Sequence, residues 1–266
     1  MAPRPFWKGY LKLSLVTCPV AMMPATTEGE KVRFHTLDRA TGHRVASRYI
    51  DAVTGKPVDE NEEVKGYERG DNDFVVLEDD ELEAVALEST RTIDISTFVG
   101  KDTIDWVWFD RPHYLFPDDP VGEQAFSVIR DAMAETKTVA VSRLVLYRRE
   151  RAVMLEPRDK GIVLWTLRYG EEVRDPEPYF AGVDSGPPAP KMLSLVTTLI
   201  DKGTKPWNPE MVSDPVQDRL LDIIAAKQAN RPAPKAKAKP EHGAEVINIM
   251  DALRKSLGSA GAARKR

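Results

Sequence analysis

The chain has 266 residues, 42% of them hydrophobic and 30% charged, a length and balance that suit one large or two small folded domains and argue against disorder. No apolar run reaches the roughly 18 residues that a membrane-spanning helix needs, no apolar stretch follows Met1, and the lone Cys18 cannot close an internal disulfide, so a cytoplasmic chain without a membrane partner is expected. The four histidines, at 35, 43, 113 and 242, lack zinc-ligand spacing, and neither a metal nor another cofactor is expected.

Residues 7–16 alternate, with Leu11, Leu13 and Leu15 on one side and Lys12 and Ser14 on the other, the period of a half-buried strand. Short runs rich in β-branched and aromatic residues predict further strands at 32–37, 74–77, 92–99, 107–109, 139–147, 152–155 and 162–169. Turn residues at 156–161 join two of these into an antiparallel hairpin. Two helices are expected among them: 80–87, burying Leu82 and Val85, and 121–136, with Ala125, Phe126, Ile129 and Met133 on one stripe.

Further along the pattern becomes helical. Met192, Leu195, Val196 and Leu199 recur at helical spacing over 191–202 before Gly203, a stop signal, and Val216, Leu220, Ile223 and Ile224 do so over 215–230. Gly182, Gly186, Pro187, Pro188 and Pro190 mark a border between a strand-rich body and this helical arm. The Pro-, Ala- and Lys-rich stretch 231–240 reads as an extended linker. Beyond it, Val246, Ile249, Met250, Leu253 and Leu257 make an amphipathic helix at 244–257, too short to persist alone in water. Its apolar stripe needs either a partner or the chain's own body. No internal repeat is found.

Charge is uneven along the chain. Nine basic against three acidic residues from 231 onward make the tail +6 and leave −10 for the residues before it, an asymmetry that suggests a nucleic-acid or acidic partner for the tail. Arg39, His43, Arg44, Arg48 and Lys56 crowd a polar segment, and Arg143, Arg148, Arg149 and Arg151 surround Tyr147. Such cations can neutralise phosphates without reading bases, or simply pair with nearby acids. The clusters Glu78-Asp79-Asp80-Glu81 and Asp118-Asp119 offer oxygen ligands for magnesium or manganese, but each precedes a helix, where carboxylates serve as caps. No phosphate-binding glycine loop or nucleophile elbow is present, and an activity other than catalysis is favoured.

Several stretches together resemble bacterial Ku, the end-binding protein of non-homologous end joining. They are Trp7–Val20, Phe34–Leu37, Val64–Glu68, Asp80–Glu83, Thr92–Ile95, Tyr114-Leu115, Glu135-Thr136, Arg149-Glu150 and Thr166–Tyr169, in the family's order, with Val246–Leu253 like the short helix near the end of such chains. The resemblance implies a mainly β protein with α elements (α+β): a Ku-type β-barrel core over 1–180 with a DNA-encircling bridge at about 32–64, a helical arm for dimerisation over 181–230, and a flexible basic tail over 231–266. It implies a non-enzymatic homodimeric ring, nucleoid-associated at breaks, that binds double-stranded DNA ends through Arg39, Arg44, Arg48, Lys56, Arg143, Arg148, Arg149, Lys235, Lys237 and Lys239. The arm would dimerise through Met192, Leu195, Leu199, Leu220, Ile223 and Ile224, and Val246, Ile249, Met250 and Leu253 would engage an end-joining DNA ligase. Some bacterial relatives carry bridge cysteines; this chain has none there, so no metal site is carried over. The alternative is a metal-dependent nuclease or phosphodiesterase using the acidic clusters.

Overall fold

The computed structural model describes residues 4–29, 31–85, 91–183 and 186–232. Its strands, in chain order, are β1 (Trp7–Leu13), β2 (Val16–Pro24), β3 (Lys65–Gly70), β4 (Asp73–Leu77), β5 (Thr92–Ile95), β6 (Thr97–Gly100), β7 (Phe109–Pro117), β8 (Thr138–Leu146), β9 (Arg149–Arg158) and β10 (Gly161–Leu167). β3 and β4 form a separate two-stranded ribbon; the other eight make one sheet in the order β5-β1-β2-β7-β10-β9-β8-β6. Its pairings are antiparallel except that of β1 with β5. The two edge strands, β5 and β6, are consecutive in the chain with only Ser96 between them. One continuous segment therefore serves both edges and draws the sheet into a nearly closed barrel, which relieves the edges of their unpaired backbone groups. Across the seam, Ser142 Oγ on β8 donates to the Asp94 carbonyl on β5 at 2.6 Å.

Alternate residues of the strands fill the interior. Leu11, Ile93 and Ile95, Cys18, Val20 and Met22, Ala140, Leu144 and Leu146, Val153 and Leu155, and Ile162 and Leu164 form one buried cluster. The two-residue spacing within each strand is the pleat's own period, which is why the sequence pattern finds these strands. Helix α2 (Pro120–Glu135), following the short α1 (Asp79–Ala84), contributes Phe126, Ile129 and Met133 to that cluster. Asp119 caps it by accepting from the Gly122 amide at 2.7 Å, and Gly122 lies so close to Pro19 that a Cβ there would sit 2.8 Å from the proline ring. Cys18 is buried, and burial pushes its thiol pKa up, with Asp119 adding to the rise. It is a small core residue rather than a nucleophile.

Several expectations need correction. Residues 32–37 are not a strand, and 107–109 fall mostly in a 3₁₀ turn, Trp106–Trp108, that leads into β7. The strand expected over 7–16 is two strands joined at Ser14, whose φ of 55° makes a tight hairpin. The run 92–99 breaks at Ser96, where the chain passes from one edge of the sheet to the other. β3, glycine-bearing and fully exposed, carries no periodic apolar signal. Val85 follows α1 as its cap and is exposed, and Leu82 is half-buried rather than buried. Gly203 is the last helical residue of its helix rather than the residue beyond it, the cap being Thr204.

The chain divides into two compact units. The first holds the described residues up to 29 and His35–Asp175; the second holds Lys31–Phe34 and the described residues from Pro176 on. In the second unit lie α3 (Glu177–Phe180), α4 (Pro190–Gly203) and α5 (Pro215–Gln228), the last capped by Asp214, which accepts from the Val216 and Gln217 amides. The Val32 amide donates to Gln217 Oε1 on α5 at 3.2 Å, so residues 32–34 belong with the helices and add no strand to the barrel.

Candidate nucleic-acid interface

The polar segment 35–58 is built from two knuckles of the same design. Leu37-Asp38-Arg39-Ala40-Thr41-Gly42-His43 and Ile50-Asp51-Ala52-Val53-Thr54-Gly55-Lys56 share their aspartate, threonine and glycine positions at a shift of thirteen residues. Asp38 Oδ1 accepts from the Ala40 amide at 2.8 Å, and Asp51 Oδ1 from those of Val53 and Thr54 at 2.7 and 2.8 Å. In each, the glycine amide donates back to the aspartate carbonyl, and the aspartate amide to the residue after the glycine. Gly42 and Gly55 adopt φ of 73° and 67°, the left-handed region that glycine enters without penalty. The Thr54 and Val53 amides hold the Asp51 carboxyl below its ordinary pKa. This is an internal repeat, contrary to the reading of the sequence, and the D-x-x-T-G spacing was its visible signal.

Hydrogen bonds rather than a core hold these knuckles, so their side chains stand in water. Arg39, Arg44, Arg48 and Lys56 are all exposed. Arg48 pairs with Asp59 at 2.7 Å, an exposed pair of the sort that contributes about 0–1 kcal/mol. A phosphate can replace such a carboxylate at little cost. Tyr49, exposed beside Arg48, is a candidate that attention to charge alone passed over; an aromatic next to a cation in a non-core segment was the available signal.

The second arginine cluster sits on the β8–β9 hairpin. Arg143 pairs with Glu150 at 2.8 Å, Arg148 reaches Glu83 at 3.2 Å, and Arg151 lies over the Tyr169 ring at 5.6 Å. Arg149 is exposed and pairs with no carboxylate among the described residues. The turn between the strands is Tyr147-Arg148, closed by the Leu146–Arg149 pair, with φ of 52° and 62°. Tyr147 packs on Phe6, ring centroids 5.6 Å apart, and borders an open cleft of about 700 Å³ that also receives Arg111 and Arg151, with Glu28 and Asp110 among its walls.

The acidic clusters have structural work. Glu78 and Glu81 form a capping box at the start of α1, the Glu78 amide donating to Glu81 Oε2 at 2.9 Å, and Asp79 faces Lys65 at 3.5 Å. Asp118 pairs with Lys8 at 2.7 Å while Asp119 caps α2. Among the described residues no group of three or more His, Cys, Asp or Glu is arranged to hold a metal ion. Glu156, the one buried carboxylate among these residues, is raised by burial but lowered further by Lys101 at 2.8 Å and Arg158 at 3.1 Å, and stays below its ordinary pKa.

On the arm, Met192, Leu195 and Leu199 of α4 and Leu220, Ile223 and Ile224 of α5 are half-buried in the single chain. Leu193, Ile200, Val216 and Leu221 on the same helices, with Trp207, Met211 and Val212 between them, are exposed. Neither helix contains a fully buried residue. Lys235, Lys237 and Lys239 and the tail positions Val246, Ile249, Met250 and Leu253 lie outside the described residues. No helix among the described residues is long and apolar enough to cross a membrane.

Comparison with known proteins agrees with this architecture. Residues 12–195 match the family model described as the Ku70/Ku80 beta-barrel domain. A protein of Methylocella silvestris named Non-homologous end joining protein Ku is 65% identical over 98% of this chain and 97% of its own length. Proteins of the same name from Gluconacetobacter diazotrophicus and Allorhizobium ampelinum are 59% and 55% identical, covering 98% and 100% of this chain and 99% of each relative. Among solved structures, the SPOC domain of human PHD-finger protein 3 aligns with a TM-score of 0.31 at 9% identity, covering 62% of this chain and 95% of that one, a likeness too slight to bear on fold or function.

Proposed function

The chain belongs to the Ku family, and from that premise we propose that it binds the ends of double-stranded DNA without regard to sequence, as a homodimeric ring that holds breaks and recruits a DNA ligase for non-homologous end joining. The observation that carries this reading is the set of exposed arginines on the 35–58 knuckles and the β8–β9 hairpin, among which Arg48, Arg143 and Arg148 pair with solvent-accessible, exchangeable carboxylates. Duplex DNA carries about one charge per 1.7 Å of axis, so such side chains gain affinity from phosphates alone and need no base contacts. The acidic remainder of the body repels DNA from other surfaces and confines it to the basic ones.

The core over 1–180 supplies the barrel and, at about 32–64, the bridge; the arm over 181–230 closes the dimer through its unpartnered apolar side chains; the tail carries Lys235, Lys237 and Lys239 on a linker and offers Val246, Ile249, Met250 and Leu253 to the ligase. Ile249→Asp with Leu253→Asp then leaves DNA-end binding intact and abolishes stimulation of ligation; unchanged ligation removes the recruitment role. Site of action is the nucleoid at breaks.

Topology provides the decisive experiment, since a closed ring loads only over a free end. Tight binding to linear duplex and little to a covalently closed circle of equal length is expected, with affinity falling steeply as salt is added. Equal affinity for the two forms at matched salt refutes threading. The same linear DNA with added magnesium or manganese should remain intact, whereas a nuclease shortens it and loses activity on chelation.

A further inference from the structure

Among the described residues, four two-residue loops join antiparallel strands, and they differ in one respect. Ser14-Leu15, Asp71-Asn72 and Asp159-Lys160 each place a single residue at positive φ, and in each it is Ser, Asn or Asp, whose short polar side chains tolerate that region. Tyr147-Arg148 alone places both central residues there, the geometry for which hairpins prefer Asn-Gly. Two long side chains have been set where each is sterically disfavoured, and neither is put to use in the core: Tyr147 is 74% exposed and the Arg148 side chain 67% exposed. Among the described residues, Tyr147 makes a tilted ring contact with Phe6 and Arg148 a 3.2 Å pair with an exposed Glu83. Neither contact accounts for keeping a strained turn in place of an unstrained one. Strain held at a surface tip whose side chains remain mostly in water points to a ligand outside the protein.

We propose that the Tyr147-Arg148 turn is a strained phosphate-contacting tip: its two consecutive left-handed residues project the Tyr147 phenol and the Arg148 guanidinium together onto the DNA backbone, at a cost in folding stability. The chemistry of the pair fits that ligand. A guanidinium offers a planar fork of donors to phosphate oxygens, a phenol donates one more hydrogen bond, and neither needs a particular base. Arg149 and Arg143 on the same hairpin place further positive charge behind the tip. An Asn-Gly turn would preserve the hairpin and lose both donors. This inference rests on the DNA-binding reading above and adds to it Tyr147 as a contact and strain as the means of presentation.

The test replaces the turn with the residues that its backbone prefers. The full-length variant Tyr147→Asn with Arg148→Gly should melt about 2–6 °C higher than the parent chain, because the strain is removed. Its affinity for linear duplex should fall about tenfold, and the slope of log affinity against log salt should shrink by about 1, the signature of one lost phosphate contact. Lys160→Gln, at the opposite end of β9, serves as the control for a generic loss of one charge and should leave the slope unchanged. A variant that binds and responds to salt like the parent overturns the tip, and one that melts lower overturns the strain. Should the parent chain itself fail to bind linear duplex, the broader reading fails first, and that result is seen before either variant is made.

Discussion

If the arm closes a dimer, the side chains that seal it are those that a single chain leaves in water, and Ile200 and Leu221 are the most informative pair. Ile200 is 61% exposed on α4 and Leu221 49% exposed on α5. Fully burying such a side chain is worth about 1.5–3 kcal/mol, so covering what remains is worth about 1–1.5 kcal/mol each. A twofold interface counts each residue twice, and four such side chains give about 4–6 kcal/mol, roughly a thousandfold or more in the dissociation constant. Ile200→Asp with Leu221→Asp removes that contribution and sets carboxylates against the partner, at positions that the single chain leaves exposed. Sedimentation velocity across a dilution series should show monomers at concentrations where the parent chain is dimeric, with an unchanged circular dichroism spectrum. A variant that remains dimeric within tenfold of the parent's dissociation constant refutes the assignment of this face. Leu199→Asp or Leu220→Asp strikes half-buried positions and should cost folding as well as association.

Arg39→Glu, Arg44→Glu and Arg48→Glu together should weaken binding to linear duplexes of any sequence by about a hundredfold or more at low salt, and flatten the salt slope by up to about 3, with the dimer intact; near-normal gel shifts would move the contact surface elsewhere. Gly9→Ala would drive a methyl group into the Arg91 carbonyl and the Trp7 ring at the β1–β5 pairing, and chemical denaturation should show a loss of about 1–3 kcal/mol; unchanged stability would mean that this part of the barrel has slack. Burial lowers the pKa of His113, only partly opposed by its bonds with the Arg111 and Leu164 backbone. The unfolded chain therefore binds a proton that the folded one resists, and the stability His113 contributes above its ordinary value of about 6.5 is lost as pH falls towards the lower folded value. His113→Gln should flatten the difference in unfolding free energy between pH 7 and pH 5.5; an unaltered difference would place its origin elsewhere.

The sequence by itself determined what depends on neighbours along the chain. The strands at β4, β8, β9 and β10 announce themselves because β-branched and aromatic residues concentrate in strands, and the helices α2, α4 and α5 because a helix imposes a fixed period on apolar residues; the Asp119 and Asp214 caps stand one residue ahead of prolines, which helix starts favour. The acidic clusters were legible as caps for the same local reason. What only the tertiary structure decided depends on residues far apart. That 92–99 is two strands serving opposite edges of one sheet cannot be read from its unbroken β-rich run, because the break at Ser96 answers to the barrel's closure rather than to local propensity. Residues 32–34 read as a strand but pack with the arm, since Gln217, far along the chain, takes up the Val32 amide. The arginines were countable from the start, yet which of them pair, with whom, and on what backbone was not: Arg148 meets Glu83 only because the fold brings them together, and the strain beneath it is a backbone torsion set by the register of β8 against β9. The apolar positions of the arm followed a helical period, but a period fixes the face a side chain shares and not what covers it, so exposure alone separated Ile200 and Leu221 from the half-buried Leu199 and Leu220.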